Sequence, residues 1–300
     1  MKRIIFLLIG ILMVTFSVAQ VNYRDYIEKA QSGNPDAQHK IGLCYALGLG
    51  VEKNHAKAIE WYLKSAKQNF ADAQNSLAFC YKNGTGVEKN PTEAINWWKK
   101  AAGQGHVQAM SNLGSCYNFG FGVSQDYTQA AKWYALAASK GDADAQNYLA
   151  FLYRDGRGVE SNSVKAFELW KKAADQGNLE AQNSLGYCYD RGFGTTKDVK
   201  EAFAWWKKAA DKGHFDSILR VADCYSSGYG VEKDLTIAAL YIFQGAEKGD
   251  AASQYNLGIC YAYGIGFKKD IAKAREWFQK AADQGHQRAI DVVEGKVCLE

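Results

Sequence analysis

Two stretches decide the fold: Ala181 to Gly194, AQNSLGYCYDRGFG, and Glu201 to Gly213, EAFAWWKKAADKG. Their key positions return every 36 residues. Gly192 and Gly194 have counterparts at Gly48/Gly50, Gly84/Gly86, Gly120/Gly122, Gly156/Gly158, Gly228/Gly230 and Gly264/Gly266. Tyr189 recurs as Tyr45, Tyr81, Tyr117, Tyr153, Tyr225 and Tyr261. A fixed period of this size marks a solenoid, in which each unit buries its apolar face only against its neighbours. Function in such a chain spreads over a surface assembled from several units, so an unbroken repeat argues for one elongated domain and against a single catalytic motif.

Working outward within one unit, Ala37, Ile41 and Tyr45 fall at helical spacing, which predicts a first helix from Asp36 to Leu47. Gly48 and Gly50 end it, since glycine enters positive φ without steric cost. Asn54 is the predicted N-cap of a second helix. Its column (Asn54, Asn90, Asp126, Asn162, Asp198, Asp234, Asp270) holds only capping residues. Ala58, Trp61, Tyr62 and Ser65 give this helix its buried stripe. A column of Gly or Ala (Gly42, Ala78, Gly114, Ala150, Gly186, Ala222, Gly258) lets the two helices of a unit approach closely. The eight tryptophans fall in two adjacent columns, Trp61/97/133/205/277 and Trp98/170/206, a register that reads as core.

These residues resemble the Sel-1-like repeat family, a subclass of the tetratricopeptide-like α-solenoids. The resemblance covers seven units, residues 36–71, 72–107, 108–143, 144–179, 180–215, 216–251 and 252–287. Residues 20–35 read as an N-terminal capping helix and residues 288–300 as a partial eighth repeat. The resemblance implies an all-α, right-handed superhelical solenoid of helix-turn-helix repeats that serves as scaffold or adaptor for other proteins. It implies no chemistry.

At the N-terminus, Lys2 and Arg3 precede an apolar run from Ile4 to Phe16, and Ser17-Val18-Ala19 supplies the small residues that signal peptidase reads. Residues 1–19 are therefore expected to be a cleavable leader, cut between Ala19 and Gln20, leaving a periplasmic or secreted chain with no stable membrane insertion. The run is too short for a span of about 18 or more apolar residues. The formal net charge of +4 is too weak to argue for a nucleic-acid partner.

Seven cysteines in an exported chain invite a disulfide reading. Six of them (Cys44, Cys80, Cys116, Cys188, Cys224, Cys260) share one column, with neighbours about 10 Å apart by the packing distance of helices. A bridge needs Cα atoms within about 7 Å. They read as buried hydrophobic thiols, and Cys298, out of register, as the one candidate for a reactive thiol. The cysteine-rich secreted branch of the family, which includes proteins reported to bind or hydrolyse penicillins, pairs cysteines at stations that are alanine, glutamine or asparagine here. His106, His214 and His286 share a loop column and read as turn or capping residues. No Ser-x-x-Lys, Gly-x-Ser-x-Gly or His-Glu-x-x-His occurs, and no cofactor or metal site is expected.

With the packing columns fixed by the fold, the variable columns of the first helix are the candidates for partner contact. In tetratricopeptide-like folds that helix lines the concave side. The candidate residues are Leu43, Phe79, Phe119, Asn147, Phe151, Asn183, Tyr187, Tyr255 and Ile259. Rings beside amides suit a protein or peptide partner, because rings bury area while amides satisfy a backbone. Packing between neighbouring first helices is the competing reading of the same columns. The expected function is an exported scaffold without catalysis. The alternatives are a cell-envelope protein that binds or processes β-lactams or peptidoglycan, and a purely structural spacer.

Overall fold

The computed structural model describes residues 23–297, and these form sixteen helices and no strand. They are α1 (Tyr23–Gln31), α2 (Pro35–Leu47), α3 (His55–Lys67), α4 (Ala71–Asn83), α5 (Pro91–Gly103), α6 (Val107–Phe119), α7 (Tyr127–Ser139) and α8 (Ala143–Asp155). Then follow α9 (Ser163–Asp175), α10 (Leu179–Arg191), α11 (Val199–Asp211), α12 (Phe215–Ser227), α13 (Leu235–Glu247), α14 (Ala251–Tyr263), α15 (Ile271–Asp283) and α16 (Gln287–Val293). The expected leader, its cleavage point at Ala19/Gln20, and Cys298 lie outside the described residues. Residues up to Ala145 belong to one compact unit and those from Gln146 to a second. In the first, each helix from α1 to α6 packs on the next; in the second, each from α9 to α15 does.

Every helix from α2 to α15 is 13 residues long, because the same start and stop signals recur. The expected cap column acts as such: Asn54, Asn90, Asp126, Asn162, Asp198, Asp234 and Asp270 each accept a backbone N–H of the helix they open. His106, His214 and His286 cap first helices, His106 Nδ1 accepting the Ala109 N–H at 3.1 Å. Between the helices of a repeat, the residue that caps the second helix donates its own N–H to the repeat tyrosine carbonyl, as Asp198 does to Tyr189 at 2.8 Å. The connecting loop is thereby closed.

The glycine pair divides two tasks, seen clearly at Gly192 and Gly194. Gly192, at φ +67°, ends α10 and donates its N–H to Cys188. Gly194, at φ +70°, lies so close to the Ser163 carbonyl at the start of α9 that no Cβ fits between them. The same closure joins Gly230 to Val199 and Gly266 to Leu235 in this unit, and Gly86 to His55 and Gly122 to Pro91 in the other. The second glycine is thus a joint between successive repeats, meeting backbone first at Gly86, Gly194 and Gly230 and the Pro91 and Ala239 side chains first at Gly122 and Gly266.

A second contact repeats across the joints. Gln38, Gln74, Gln182 and Gln254 each donate their side-chain amide to a carbonyl at the end of the preceding helix, at 3.0–3.3 Å. The side-chain oxygens of Gln38, Gln74, Gln146 and Gln254 accept from Gln68, Gln104, Gln176 and Gln284 at 2.7–2.8 Å. The glutamine of one helix start is thus bound from two sides.

Candidate partner-binding face

The candidate face grows out of the small-residue column. At Gly186 a Cβ would collide with the Trp206 indole, and at Gly42, Gly114 and Gly258 it would meet Tyr62, Tyr134 and Phe278. The second-helix ring therefore slides over the small residue and reaches the residue beside it. Phe79 meets Trp98 edge-on at 5.5 Å, Phe151 meets Trp170 at 5.2 Å and Tyr187 meets Trp206 at 5.3 Å. Trp98, Trp170 and Trp206 are buried, and their partners Phe79, Phe151 and Tyr187 are half-buried. Edge-to-face pairs of this kind add about 0.5–1.5 kcal/mol beyond their buried area. The rings expected to face a partner thus also brace the repeat.

The asparagines are drawn further in. Trp170 donates its indole N–H to Asn147 Oδ1 at 3.1 Å, and Trp98 to Asn75 Oδ1 at 3.0 Å. Trp206 donates to the backbone carbonyl of Asn183 at 3.2 Å, while Asn183 Oδ1 accepts from the Ser217 hydroxyl at 3.0 Å. Asn147 and Asn183 are only 4% and 6% exposed, so they satisfy buried donors instead of presenting amides to a partner. Their expected surface role gives way to this one.

Of the remaining candidates, Leu43 is half-buried against Ile59, Tyr62 and Leu77. Ile259 packs beside Phe278, and Tyr255 stacks on His286 at 4.7 Å. Phe119 stands furthest out, at 64% exposed. Cations line the same face. Lys82 Nζ sits 5.7–5.9 Å from the Phe79, Trp98 and Phe121 rings, and the Arg154 guanidinium lies 4.8 Å from Phe151. Arg220 donates Nε–H to the Tyr187 hydroxyl at 2.8 Å. The Arg154 hydrogen bond holds the Asp155 carboxyl below the usual carboxylate range.

The other tryptophan column behaves differently from the expected uniform core. Trp61 and Trp97 are half-buried, with Lys64 and Lys100 laid over their rings at 4.2 and 4.0 Å; Lys208 and Lys280 cover Trp205 and Trp277 at 3.7 Å. All four lysines are exposed, so their stems shield the ring faces while the ammonium groups stay in water.

The six in-register cysteines are free thiols, five buried and Cys80 half-buried. Burial pushes Cys44, Cys80, Cys116, Cys224 and Cys260 up to about 11 and Cys188 to about 12. They are inert as nucleophiles at neutral pH. His39, between the Tyr62 and Phe70 rings and bonded to the Ser76 hydroxyl at 2.9 Å, is pushed down to about 4 by burial. Among the described residues, no cluster of three His, Cys, Asp or Glu side chains is arranged to hold a metal ion, and no helix is long and apolar enough to cross a membrane.

The Sel1 repeat family model matches residues 35–70, 71–106, 107–142, 143–178, 179–214, 216–250 and 251–286. The chain is a Sel1 repeat protein. Proteins built from Sel1 repeats generally serve as protein-interaction scaffolds. This Sel1 repeat protein is similar to a protective antigen present in uropathogenic Escherichia coli strains, which displays an SLR fold. That likeness has 36% identity and a TM-score of 0.82, over 91% of this chain and 59% of that one. The chain thus spans 59% of the length of the E. coli protein. It is also similar to a Sel1 repeat protein from Oxalobacter formigenes, with 31% identity and a TM-score of 0.78 over 92% of this chain and 80% of that one. Yeast Tom70, at 15% identity and a TM-score of 0.51 over 91% of this chain and 57% of that one, shares the fold alone. No curated protein matches.

Proposed function

We propose that this Sel1 repeat protein is an exported scaffold that holds protein or peptide partners on the exposed edges of its first helices, without chemistry of its own. The observation that carries this reading is the ring column. Phe79, Phe151 and Tyr187 recur at one position of the repeat, each with part of its ring open to solvent and a cation beside it. Half-open aromatic rings flanked by long basic side chains are the composition of protein-recognition surfaces. The apolar run and small-residue exit before Gln20 support export. Likeness to a protein described as a protective antigen supports the same placement.

Crosslinking the protein in its native compartment, followed by mass spectrometry, tests the scaffold role. Partners should be captured by wild type and weakened by alanine at Phe79, Phe151 or Tyr187, by about 2 kcal/mol for a true hot spot. Because these rings also brace tryptophans, the comparison belongs well below each variant's unfolding transition. Unchanged capture by the folded triple variant would refute the role of these rings. N-terminal sequencing should find a mature chain beginning at Gln20; a retained Met1 would refute export.

A further inference from the structure

The second, fourth and fifth repeats carry the full ring pair, the first, third and seventh keep the second-helix ring as Tyr62, Tyr134 and Phe278, and only the sixth has neither ring. At the place where Tyr187 meets Trp206 in the preceding repeat, the sixth repeat has Asp223 and Ile242. Where Asn147 accepts the Trp170 indole N–H in the fourth, the sixth has Leu219. The sixth is thus the repeat in which an aliphatic residue replaces the second-helix ring and a carboxylate replaces the first-helix one. Ile242 and Asp223 are smaller than the indole and the phenol ring they replace, and α12, α13 and α14 keep the common length of 13 residues. The lost ring volume therefore stays open. A pocket of about 230 Å³ lies between these three helices, with Leu219, Ala222, Ile242, Ile259 and Ile265 in its walls.

Its chemistry is one-sided. Asp223 is the one charged residue lining the pocket, and it is exposed. Its backbone carbonyl accepts from the Ser226 and Ser227 hydroxyls, but among the described residues its carboxylate has no ion-pair or hydrogen-bond partner. The nearby Arg220 guanidinium bonds the Tyr187 hydroxyl and feels the Asp223 charge without an ion-pair contact to it. Ser226 and Asn256 also line the pocket and carry acceptors. An apolar slot shaped by missing rings, with an exposed carboxylate that makes no hydrogen bond or ion pair and with neutral acceptors, is complementary to a large ring that follows or precedes a positive charge.

Resting on the scaffold reading, we propose that this sixth-repeat pocket is a docking site for a peptide segment in which a tryptophan neighbours lysine or arginine. The tryptophan enters where the repeat's own ring is absent. Its indole N–H meets Asn256 or Ser226, as Asn75 and Asn147 meet the internal tryptophans, and the adjacent cation pairs with Asp223.

The test uses the full chain with labelled isoleucine δ-methyl groups and three probes: acetyl-Lys-Trp-Lys-amide, acetyl-Glu-Trp-Glu-amide and acetyl-Lys-Ala-Lys-amide. The first should produce saturable shifts at Ile242, Ile259 and Ile265, bind about fivefold or more tighter than the second at low salt, and the third should leave these methyls unmoved. Asp223→Asn, an exposed and conservative change, should bring the first two probes within about twofold of each other. Ile242→Trp refills the slot and should abolish the saturable shifts at Ile259 and Ile265 while raising the thermal midpoint. Absence of saturable shifts at these methyls, equal binding of the acidic probe, or undiminished binding to folded Ile242→Trp each overturns the proposal. So does concentration-dependent shifting without peptide, which would mean a second copy of the chain occupies the slot. Native crosslinks that persist while all probes fail would remove the pocket and leave the scaffold. Probe binding without any native crosslink would do the reverse.

Discussion

Lys212→Gln should make this protein more stable, although it deletes a charge and adds no apolar surface. Gln182 donates to the Ala174 carbonyl at 3.0 Å, but its side-chain oxygen is buried with no partner. At four equivalent joints that oxygen accepts from a glutamine 30 residues on, at 2.7–2.8 Å. Here the corresponding residue is Lys212, the exposed C-cap of α11. Leaving a buried acceptor unmade costs about 1–3 kcal/mol, and a new glutamine donor recovers most of it. Against this stands the loss of a cation at a helix C-terminus, about 0.3–1 kcal/mol at an exposed site. The net expectation is a gain of about 1 kcal/mol. Lys248→Gln is the matched control, because its joint partner is Ile218, which offers no acceptor; it should be neutral or slightly destabilising. A repeat array need not unfold in one step, so urea midpoints should be read together with hydrogen exchange of the α10 and α11 amides. The gain should concentrate there. If Lys212→Gln is no more stable than Lys248→Gln, the joint does not depend on this hydrogen bond and the reasoning fails.

Four further outcomes follow from the packing and the shifted groups. Gly186→Ala places a methyl group inside the Trp206 ring and should lower stability by about 1–3 kcal/mol, measured by denaturant unfolding. Ser253→Ala should be neutral or stabilising by up to about 1 kcal/mol in the same assay, because the Ser253 hydroxyl is buried against Gly245 without a hydrogen-bond partner. His39 has its folded pKa depressed to about 4 from 6.5, so its contribution is whole above pH 6.5 and declines as pH falls towards 4. The gap corresponds to about 3 kcal/mol at most, and His39→Phe should flatten the pH dependence of the thermal midpoint in that window. The six in-register thiols should alkylate about a hundredfold more slowly than a peptide cysteine at pH 8, as read by intact mass, and reach normal rates in denaturant.

The repeat, its two helices, the second-helix caps and the thiol column were legible because each rests on local chemistry repeated in six or all seven units. Asn54 has to cap, and Gly192 has to turn, whatever lies across from them. The face was only half legible. Phe151 and Tyr187 were visible as large residues in a variable column, but a helix projection places them away from the core. It cannot show that Gly186 lets Trp206 slide sideways until it touches Tyr187. Asn147 and Asn183 were misplaced for the same reason: their amide chemistry was read as available, when the indole of Trp170 and the hydroxyl of Ser217 already use it. The glutamine joints escaped the sequence reading because each joins residues 30 positions apart, beyond any one helix. The pairing of Gln38 with Gln68, and of Ile218 with Lys248, was nonetheless a signal in the periodic columns.

The glycine that meets the preceding repeat does so with backbone against backbone, as Gly194 meets Ser163 and Gly230 meets Val199. Such a joint depends more on the missing Cβ of one glycine than on the side chains around it, so the same seam recurs between units of different sequence. A gene encoding it can gain or lose whole units by duplication or unequal crossover, and each product is offered the same seam. Individual units are then free to diverge on their outer edges, where one of them has already exchanged its rings for a carboxylate and a slot.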